Sequence, residues 1–371
     1  MNAPQGHKPR NVMVTGGMGF IGTNFVKYLL ETDPEVERVV VYDLLTYAAH
    51  PMNVRELEAG DRRFTLVRGD VRDEGKVLET ITRYEIDTVV HMAAESHVDR
   101  AIDDPSVFLT TNVNGTYSVL QAARTAWKAA PGGFAGKRFH SVSTDEVFGA
   151  TEVESHELTA EGSPYSPNNP YSASKAAADH LCMAWFKTYG LPVTVSHCSN
   201  NYGPYQFPEK LIPLVVVRAL EGRPLPVYGD GRNVRDWIHV RDHCSAISAI
   251  LRRGVPGESY NIGVRNEQSN IRLVKTICGV LDRIQPRPGG EKYEALITLV
   301  QDRPGHDRRY AIDPRKIEEQ LGWRGGGGEE GDEFEAGLER TIRWYIEHKE
   351  WIKCASESTE YRCERLGLLN K

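Results

Sequence analysis

Short apolar runs alternate with helical segments through the first half of the chain. The apolar runs are NVMVTG (11–16), RVVVYD (38–43), DTVVHMAA (87–94) and KRFHSVST (137–144), and a helical segment such as GFIGTNFVKYLL (19–30) follows the first of them. This alternation is typical of a parallel sheet that is covered by helices on both faces. We therefore predict an α/β fold with a Rossmann-type, doubly wound parallel sheet, and ligand-binding groups at the carboxyl ends of its strands.

The alternation weakens after about Leu191, where Pro and Gly become frequent, as in GRPLPVYGDGRN (222–233). Such sequence favours a smaller, loop-rich lobe that closes over a ligand. We predict a Rossmann domain over residues 1–195, to which segments near 235–265 and 308–320 return, and a C-terminal substrate-binding lobe over 196–330. A C-terminal helix and tail would occupy 331–371, and the Gly-rich segment from Gly325 is predicted to be a surface loop.

Composition excludes several classes of partner. The formal net charge of -6 argues against nucleic acid, so an anionic ligand would have to be held by local cations and backbone donors. The six cysteines form no CxxC pair, which argues against a zinc knuckle and a disulfide framework and favours a reducing cytoplasm. The longest apolar stretch, Leu211 to Leu220, is shorter than the ~20 residues of a membrane span. We expect a cytoplasmic protein with no membrane partner and no hydrophobic signal region at its polar start.

The first strand runs into TGGMGFIG (15–22), which places glycines at 16, 17, 19 and 22 before an amphipathic helix. Such a turn lets the backbone approach a pyrophosphate at a helix N-terminus. Asp43 ends the next strand, near the spacing expected for a ribose-binding carboxylate, although it could also cap a turn. The residues after it, Leu44, Leu45 and Thr46, offer no cation for a 2′-phosphate, so NAD is favoured over NADP. Asp70 could hold adenine or end a strand, and its spacing leaves both readings open.

A Tyr/Lys couple follows in the run YSASKAAADHLCMAWF (171–186), where Tyr171 and Lys175 share one helix face. A nearby ammonium is expected to lower the pKa of a phenol and make it a usable base. The upstream strand ends in Ser143 and Thr144, whose hydroxyls could orient the same substrate oxygen for hydride transfer. The tail contains a second YxxxK pair, Tyr345 and Lys349, to which we assign a structural role.

Two consecutive carboxylates, Asp145 and Glu146, follow the hydroxyl. Loss of water beside a ketone needs a base for the neighbouring C–H and an acid for the departing hydroxyl, and two carboxyls with separated pKa values can divide these roles. The alternative is a solvated turn or the N-cap of a following helix. The adjacent Tyr171/Lys175 couple favours elimination chemistry.

Together these blocks resemble the extended short-chain dehydrogenase/reductases and, within them, the dTDP-glucose 4,6-dehydratase family. The blocks TGGMGFIG, YDLLTY, HMAAESHVDRAI, STDEVFG, YSASKAAADH, VRDWIHVRDHC, YNIG and DRPGHDRRYAID stand in that family's order. SNNYGPYQFPEKLIPL (199–214) is the most specific of the matching blocks, because general reductases lack it. The resemblance covers nearly the whole chain and implies a nucleotide-sugar substrate.

The resemblance implies a reaction cycle on dTDP-glucose. Tyr171 would take the proton of the 4-hydroxyl while hydride passes from C4 to NAD. Glu146 would then remove the C5 proton and Asp145 would protonate the C6 oxygen, so that water leaves and the hydride returns to C6. The expected product is dTDP-4-keto-6-deoxyglucose, although the assignment of the two acids could be reversed.

The same resemblance implies binding residues and a homodimer that forms through the helices after Asn112 and Tyr171. The chain departs from the family pattern at Phe148 and His239, where Tyr is usual or frequent, and it carries no metal site on our reading of His239, His243 and Cys244. The implied NAD-binding residues are Gly16, Gly19, Phe20, Ile21, Gly22, Asp43, Leu44, Leu45, Thr46, Asp70, Val71, Thr111, Tyr171, Lys175 and Asn201. The implied substrate-binding residues are Ser96, Thr144, Asn200, Lys210, Leu211, Pro226, Val227, Tyr228, Arg235, Asn270, Asp302, Arg303, Pro304, Gly305 and His306.

Three alternatives remain open at this point. A 4,6-dehydratase of CDP-glucose, UDP-glucose or GDP-mannose would use a related site. A sugar-nucleotide 4-epimerase shares the glycine turn and the YxxxK pair but has no use for the acid pair. A non-catalytic NAD-binding regulator would not need Thr144, Asp145, Glu146, Tyr171 and Lys175 together.

Overall fold

A computed structural model describes residues 6–53, 55–155, 157–302, 304–326 and 334–357 of the chain. The predicted Gly-rich loop lies mostly outside the described residues, as do Arg303 and the end of the tail. The strands are β1 (Asn11–Thr15), β2 (Arg38–Asp43), β3 (Phe64–Arg68), β4 (Thr88–His91), β5 (Arg138–Thr144), β6 (Val193–Cys198), β7 (Asn200–Tyr202), β8 (Leu225–Tyr228), β9 (Val234–His239), β10 (Ser259–Ile262), β11 (Glu267–Ser269) and β12 (Ile297–Val300).

The central sheet has seven parallel strands in the order β10-β6-β5-β4-β1-β2-β3. The strand order reverses between β1 and β4, which is where doubly wound sheets bind ligands beyond their carboxyl ends. All four apolar runs identified in the sequence form strands of this sheet, and most of their residues are buried. The predicted Rossmann-type parallel sheet is therefore confirmed.

Helices cover both faces of this sheet. One face packs against the helices that carry Phe25, Ile247 and Ile317, and the other packs against the helices that carry Ile81, Trp127 and Cys182. Burial on both faces explains why the strands read as continuous apolar runs rather than alternating ones. The helices are α1 (Phe20–Thr32), α2 (Arg55–Gly60), α3 (Glu74–Arg83), α4 (Val98–Asp103), α5 (Pro105–Phe108), α6 (Thr116–Ala129), α7 (Pro170–Tyr189), α8 (Leu211–Leu220), α9 (Val240–Arg253), α10 (Asn270–Ile284), α11 (Arg315–Leu321), α12 (Phe334–Glu347) and α13 (Lys349–Glu357).

A second core lies in the later part of the chain. Helices α8, α10 and α12 contribute Val216, Ile277 and Ile342 to it, and none of these side chains is exposed. Short sheets flank this core, one with the order β11-β9-β7 and one in which β12 pairs with β8. Helix α12, near the end of the described residues, buries Leu338 and Tyr345 in the same core. Among the described residues, no helix is long and apolar enough to cross a membrane.

Candidate active site

A cavity of about 570 Å³ lies at the carboxyl ends of the sheet strands and extends to residues of the later core. Most of the residues predicted to be catalytic or ligand-binding line this cavity. They include all five predicted catalytic residues, which are Thr144, Asp145, Glu146, Tyr171 and Lys175. The other predicted residues that line it are Gly16, Gly19, Phe20, Ile21, Gly22, Asp43, Leu44, Thr46, Asp70, Val71, Ser96, Thr111, Asn200, Asn201, Lys210, Leu211, Pro226, Tyr228, Arg235, Asn270 and His306.

Two predicted binding residues point away from the cavity. Val227 is buried in the later core, because side chains alternate along β8 and only Pro226 and Tyr228 of that strand reach the cavity. Leu45 packs against the core on one face of the central sheet instead of lining the cavity. The predicted ligand contacts of Val227 and Leu45 therefore stay predictions, and their side chains do not line the cavity.

The predicted run from Asp302 to His306 contributes to the cavity mainly through His306. The Asp302 carboxylate lies 2.6 Å from His306 Nδ1, and Gly305 turns the chain between them with a φ of 63°. Asp302, Pro304 and Gly305 therefore shape the loop that presents His306, and they do not themselves line the cavity. Arg303 lies outside the described residues, so its predicted contact stays a prediction.

The glycine turn between β1 and α1 has no room for side chains at two positions. A Cβ on Gly22 would lie 2.2 Å from the Gly16 carbonyl oxygen, and a Cβ on Gly16 would lie 2.7 Å from Ala93. Gly16 also adopts a φ of 68°, which favours glycine. The close approach leaves the N-terminus of α1 open to the cavity with no side-chain cap. Such a turn fits the pyrophosphate of a dinucleotide.

Asp43 ends β2 beside this turn, and its side chain is buried. Its carboxylate accepts hydrogen bonds from the backbone N–H groups of Met18 at 3.0 Å and Leu45 at 2.8 Å. Burial raises the pKa of Asp43, and the two N–H donors oppose that rise. The second bond also holds Leu45 in its left-handed conformation, with a φ of 61°. The carboxylate is thus fixed where the predicted ribose-binding group is expected.

Asp70 lines the cavity with its carboxylate already paired. Its Oδ1 accepts from Arg72 Nε at 3.0 Å and its Oδ2 accepts from Arg72 Nη2 at 2.6 Å, and this pair lowers the pKa of Asp70. The neighbouring Tyr42 phenol donates to the Asp70 carbonyl oxygen at 3.0 Å. Asp70 therefore orders the loop after β3, and both sequence-based readings of it, as an adenine contact and as a strand end, remain compatible with its position.

Helix α7 places Tyr171 in its first turn and Lys175 one turn later. Its start is defined by Pro170 and by Asn169, whose side chain accepts from the Ser172 N–H at 2.9 Å in a capping box. The Lys175 ammonium is buried and donates to the Val142 carbonyl oxygen at 2.8 Å. The Thr144 hydroxyl and the Tyr171 phenol are close enough to interact. The predicted hydroxyl, phenol and ammonium thus meet at one end of the cavity.

The expected net lowering of the Tyr171 pKa is not found in this structure. Burial raises the pKa of the phenol well above its ordinary value, and the Glu146 carboxylate adds to that rise. Burial also lowers the pKa of Lys175, whose ammonium hydrogen bonds to a backbone carbonyl rather than to the phenol. Without further positive charge in the cavity, Tyr171 is therefore a neutral phenol.

The acid pair lies in the short 3-10 turn Asp145–Phe148 that follows β5. The Thr144 hydroxyl caps this turn by accepting from the Glu146 N–H at 3.3 Å, so neither acid serves as the cap. Asp145 is buried, and its Oδ2 has no hydrogen-bond partner among the described residues. Burial and the neighbouring Glu146 charge raise the pKa of Asp145 well above its ordinary value. The alternative reading of a solvated turn or helix cap is thus not supported.

The sequence reasoning missed Asn169, which positions the second acid. Its Nδ2 donates to Glu146 Oε2 at 3.3 Å while its Oδ1 caps α7. One side chain therefore ties Glu146 to the helix that carries Tyr171 and Lys175. Pro170 and the Ser172 three residues beyond the cap are the signals that could have identified Asn169.

Cationic groups reach the cavity from the later part of the chain. Arg235 is buried, donates to the Asp307 carbonyl oxygen at 2.9 Å and lies 4.4 Å from the centroid of the Tyr310 ring. Lys210 donates to the Ser96 carbonyl oxygen at 2.9 Å. Both line the cavity, as the need for local cations in an acidic protein predicts.

Sequence reasoning also missed two further carboxyls, Glu95 and Glu209, that line the cavity. Glu209 accepts from the Tyr47 phenol at 3.1 Å and from Arg100 Nε at 3.3 Å. Burial raises the pKa of both carboxyls. Glu209 adjoins Lys210 in the most specific sequence block, which was the available signal.

The remaining motifs have other partners. The Tyr345 phenol is fully buried and donates to the carbonyl oxygens of Gln206 at 2.8 Å and Gly203 at 3.2 Å, which agrees with a structural role for the second YxxxK pair. His239 accepts from the Arg241 N–H at 3.3 Å, and His243 Nδ1 lies 2.9 Å from the side-chain oxygen of Asn201. The two imidazoles therefore belong to separate hydrogen-bond groups.

Comparison with known proteins places this geometry among nucleotide-sugar dehydratases. The sequence model of the family described as GDP-mannose 4,6 dehydratase matches residues 13–327. A dTDP-glucose 4,6-dehydratase from Neisseria meningitidis is 47% identical over 361 residues, which cover 96% of this chain and 99% of that protein. One from Xanthomonas campestris is 50% identical over 356 residues, which cover 96% of this chain and 98% of that protein.

A solved structure is also similar over nearly the whole chain. The dTDP-glucose 4,6-dehydratase of Streptomyces venezuelae, with NAD and dTDP bound, has a TM-score of 0.83 and 43% sequence identity. The similarity covers 93% of this chain and 99% of that structure. The likeness thus extends through both the central sheet and the later core.

Proposed function

The chain belongs to the dTDP-glucose 4,6-dehydratase family, a group of NAD-dependent hydro-lyases, and we propose that its acid pair carries out the elimination step of that reaction. The reaction converts dTDP-glucose to dTDP-4-keto-6-deoxyglucose and water. The observation that carries the proposal is the buried, unpartnered Asp145 oxygen beside Thr144, Tyr171 and Glu146.

The cofactor is NAD, which when bound accepts the C4 hydride of the sugar, returns it to C6 and brings a positively charged ring into the cavity. The residues present fit it, because the tightly packed glycine turn and the N-terminus of α1, which has no side-chain cap, line the cavity where a pyrophosphate would bind. Asp43 would bind the ribose. Leu44 and Thr46, which line the cavity nearby, supply no cation for a 2′-phosphate.

Tyr171 removes the proton of the 4-hydroxyl, and Thr144 orients that hydroxyl. The Thr144 hydroxyl donates to Asp145 Oδ1 at 3.3 Å and lies close enough to the Tyr171 phenol to interact with it. The buried Lys175 ammonium stabilises the phenolate electrostatically. Oxidation at C4 makes the C5 proton acidic, which prepares the elimination.

Glu146 removes the C5 proton, and Asp145 gives its proton to the C6 oxygen as the C–O bond breaks and water leaves. A raised pKa keeps Asp145 protonated and able to donate, as a general acid requires. Protonated Glu146 returns a proton to C5 when hydride adds to C6. The proton that Tyr171 took from the 4-hydroxyl then passes through the Thr144 hydroxyl to Asp145. Both groups return to their starting states, and the net change is the loss of one water.

Glu146→Gln tests this assignment. The variant should still reduce its bound NAD when dTDP-glucose is added, because C4 oxidation does not use Glu146, but it should not release water. Absorbance of the reduced nicotinamide and product mass measure the two steps. Glu152→Gln, a matched change at an exposed position, should complete the cycle. Normal dehydration by Glu146→Gln would contradict the role of Glu146.

A 4-epimerase eliminates no hydroxyl and needs no acid to protonate one, so this activity does not account for the buried Asp145. Other 4,6-dehydratases would use the same acids on a different nucleotide sugar. We therefore propose a mass-spectrometric comparison of dTDP-glucose with CDP-glucose, UDP-glucose and GDP-mannose, scored for loss of one water without added cofactor. dTDP-glucose should react fastest.

We also propose that the enzyme is a cytoplasmic homodimer that forms through α6 and α7. The support is a group of exposed apolar side chains near these helices, with Leu109 at 53%, Tyr117 at 44% and Tyr189 at 42% exposure. Light scattering should give twice the chain mass.

We further propose a division of the chain by ligand. Residues 1–195, with the segments near 235–265 and 308–320, would bind NAD, while 196–330 would bind the sugar nucleotide. The pairing of β10 with β6 and the packing of α9 on α1 support this division.

A further inference from the structure

A buried carboxylate lies one helical turn beyond Lys175. Asp179 follows Lys175 by four residues on α7, and both side chains are buried. Neighbouring residues of β5 hold the two groups: the Lys175 ammonium donates to the Val142 carbonyl oxygen at 2.8 Å, and Ser143 Oγ donates to Asp179 Oδ2 at 2.7 Å. Helix and sheet therefore fix an ammonium and a carboxylate on the same side of the catalytic helix.

Asp179 does not line the cavity and meets a second group of side chains behind it. The Tyr165 phenol lies 3.3 Å from Asp179 Oδ2 and 2.8 Å from His197 Nε2, and His197 Nε2 lies 3.4 Å from the same carboxylate oxygen. The Phe148 ring covers His197 at 4.8 Å between ring centroids. Asp179 Oδ1 has no hydrogen-bond partner among the described residues. The catalytic sequence does not use this cluster.

The other titratable groups that face Lys175 are Tyr171, Cys182, Cys198 and His91. Burial raises the pKa of both thiols to about 12 and lowers the pKa of His91 to about 3. The two thiols and the His91 imidazole are therefore neutral over the ordinary working range. Burial lowers the pKa of Lys175, and the Asp179 charge is the largest influence that opposes this. Of the groups named, the Asp179 carboxylate is thus the counter-charge to the ammonium.

We propose that Asp179 is a positioning residue that keeps Lys175 protonated while the site is closed to water. The inference rests on the proposed roles of Tyr171 and Lys175. Lys175 stabilises a phenolate only while it carries its charge, and burial alone favours loss of that charge. Asp179 acts through Lys175 and never touches the substrate, and Ser143 holds its carboxylate in place.

Asp179→Asn tests the proposal, because the amide keeps an oxygen for Ser143 and loses the charge. The measurement is the pH dependence of NAD reduction in a single turnover with dTDP-glucose. Loss of the opposing charge lowers the pKa of Lys175, so the alkaline limb of the profile should move to lower pH by about 1–3 units. An alkaline limb that stays in place while the rate falls would overturn the proposal and leave Asp179 a packing role.

Tyr165→Phe is the matched control, since it removes a neutral hydrogen bond to Asp179 and should leave the alkaline limb in place. Asp179→Glu keeps the charge and should hold the limb above that of the Asn variant. If Asp179→Asn does not fold, Asp179→Ser removes the same charge with less bulk, and the same shift is required. Failure of the wild type to reduce NAD with dTDP-glucose would instead sink the proposed function itself.

Discussion

Asp145 is held in an environment that disfavours its charged form. Its side chain is buried, and the charges of Glu146 and Asp236 raise its pKa while Arg235 opposes them. The proposed general-acid role of Asp145 benefits from this environment, because a general acid must hold its proton near neutral pH. The stability of the folded protein does not benefit, because ionising a buried carboxyl without a partner is unfavourable. A conflict between function and stability is therefore located at one residue.

Asp145→Asn should be more stable than the wild type and inactive in dehydration. The pKa of Asp145 in the folded protein lies above its ordinary 3.8. The protonated Asp145 carboxyl therefore makes its full contribution to the free energy of unfolding below about pH 4. That contribution is lost as the pH rises through the pKa of Asp145 in the folded protein. The Asn variant does not titrate, so its advantage should be small at about pH 4 and grow to roughly 1–2 kcal/mol at alkaline pH.

Thermal unfolding across this pH range, with NAD in excess for both proteins, measures the effect. The exposed Asp103→Asn should show no such growing advantage. An Asp145→Asn protein that is less stable at alkaline pH, or whose advantage does not change with pH, would show that burial does not disfavour the charged carboxylate.

Residues that act through neighbours in sequence could be predicted, and residues that act through tertiary contacts could not. The Thr144, Asp145 and Glu146 triplet and the Tyr171/Lys175 pair are local patterns. Asp179 also lies in a quoted block, but its partner Ser143 is on a strand far away in sequence. The pKa of Tyr171 depends on burial, which no local pattern encodes, and this explains why the expected lowering was wrong.

At the scale of elements, the C-terminal helix α13 supports the glycine turn between β1 and α1, called the cofactor turn below. Trp351 Nε1 donates to Asn53 Oδ1 at 2.6 Å, and Asn53 Nδ2 donates to the Met18 carbonyl oxygen at 2.8 Å. The Met18 N–H in turn donates to Asp43 at 3.0 Å. A chain of three hydrogen bonds thus links the end of the described chain to the proposed ribose-binding carboxylate.

Trp351→Phe should weaken NAD retention. The ring would still fill its buried position, but Asn53 would lose a donor, and one hydrogen bond is worth about 1 kcal/mol, or roughly a fivefold change in affinity. Trp323→Phe is the matched control, because it removes an indole bond to Ser245 Oγ at 2.8 Å away from the cofactor turn. The measurement is the NAD content after gel filtration. Equal retention by both variants would mean that α13 does not support the turn.

Element prediction succeeded where the chain is buried on both faces and failed where it is not. Strands β1, β2, β4 and β5 appear as continuous apolar runs because helices cover both sides of them. The strands of the later part are short, and β8 carries a proline, Pro226, that weakens any strand signal. The family resemblance grouped Val227 with its cavity-facing neighbours, and the alternation along β8 turns its side chain inward.

At the scale of the molecule, contacts between the segment around α4 and the later part of the chain join residues that line the cavity, and they would help to keep it closed over a ligand. Arg100 contacts Glu209 at 3.3 Å, and the Tyr228 phenol donates to Asp99 at 2.7 Å. The Arg100 guanidinium also lies 3.8 Å from the centroid of the Tyr47 ring. A reaction whose oxidised sugar must stay bound until hydride returns depends on such closure.

Arg100→Gln should therefore release the sugar before the cycle ends. Glu209 is almost fully buried, and loss of a charged partner is worth about 1.5–3 kcal/mol, so closure should weaken by roughly tenfold or more. The expected signs are a nucleotide sugar oxidised at C4 that has not lost water, and reduced NAD left on the enzyme. Arg241→Gln removes an exposed ion pair to Glu31 at 3.0 Å between two helices on the central sheet, and it should release only the dehydrated product. If mass spectrometry finds only the dehydrated product from both variants, the contacts at Arg100 do not keep the intermediate bound.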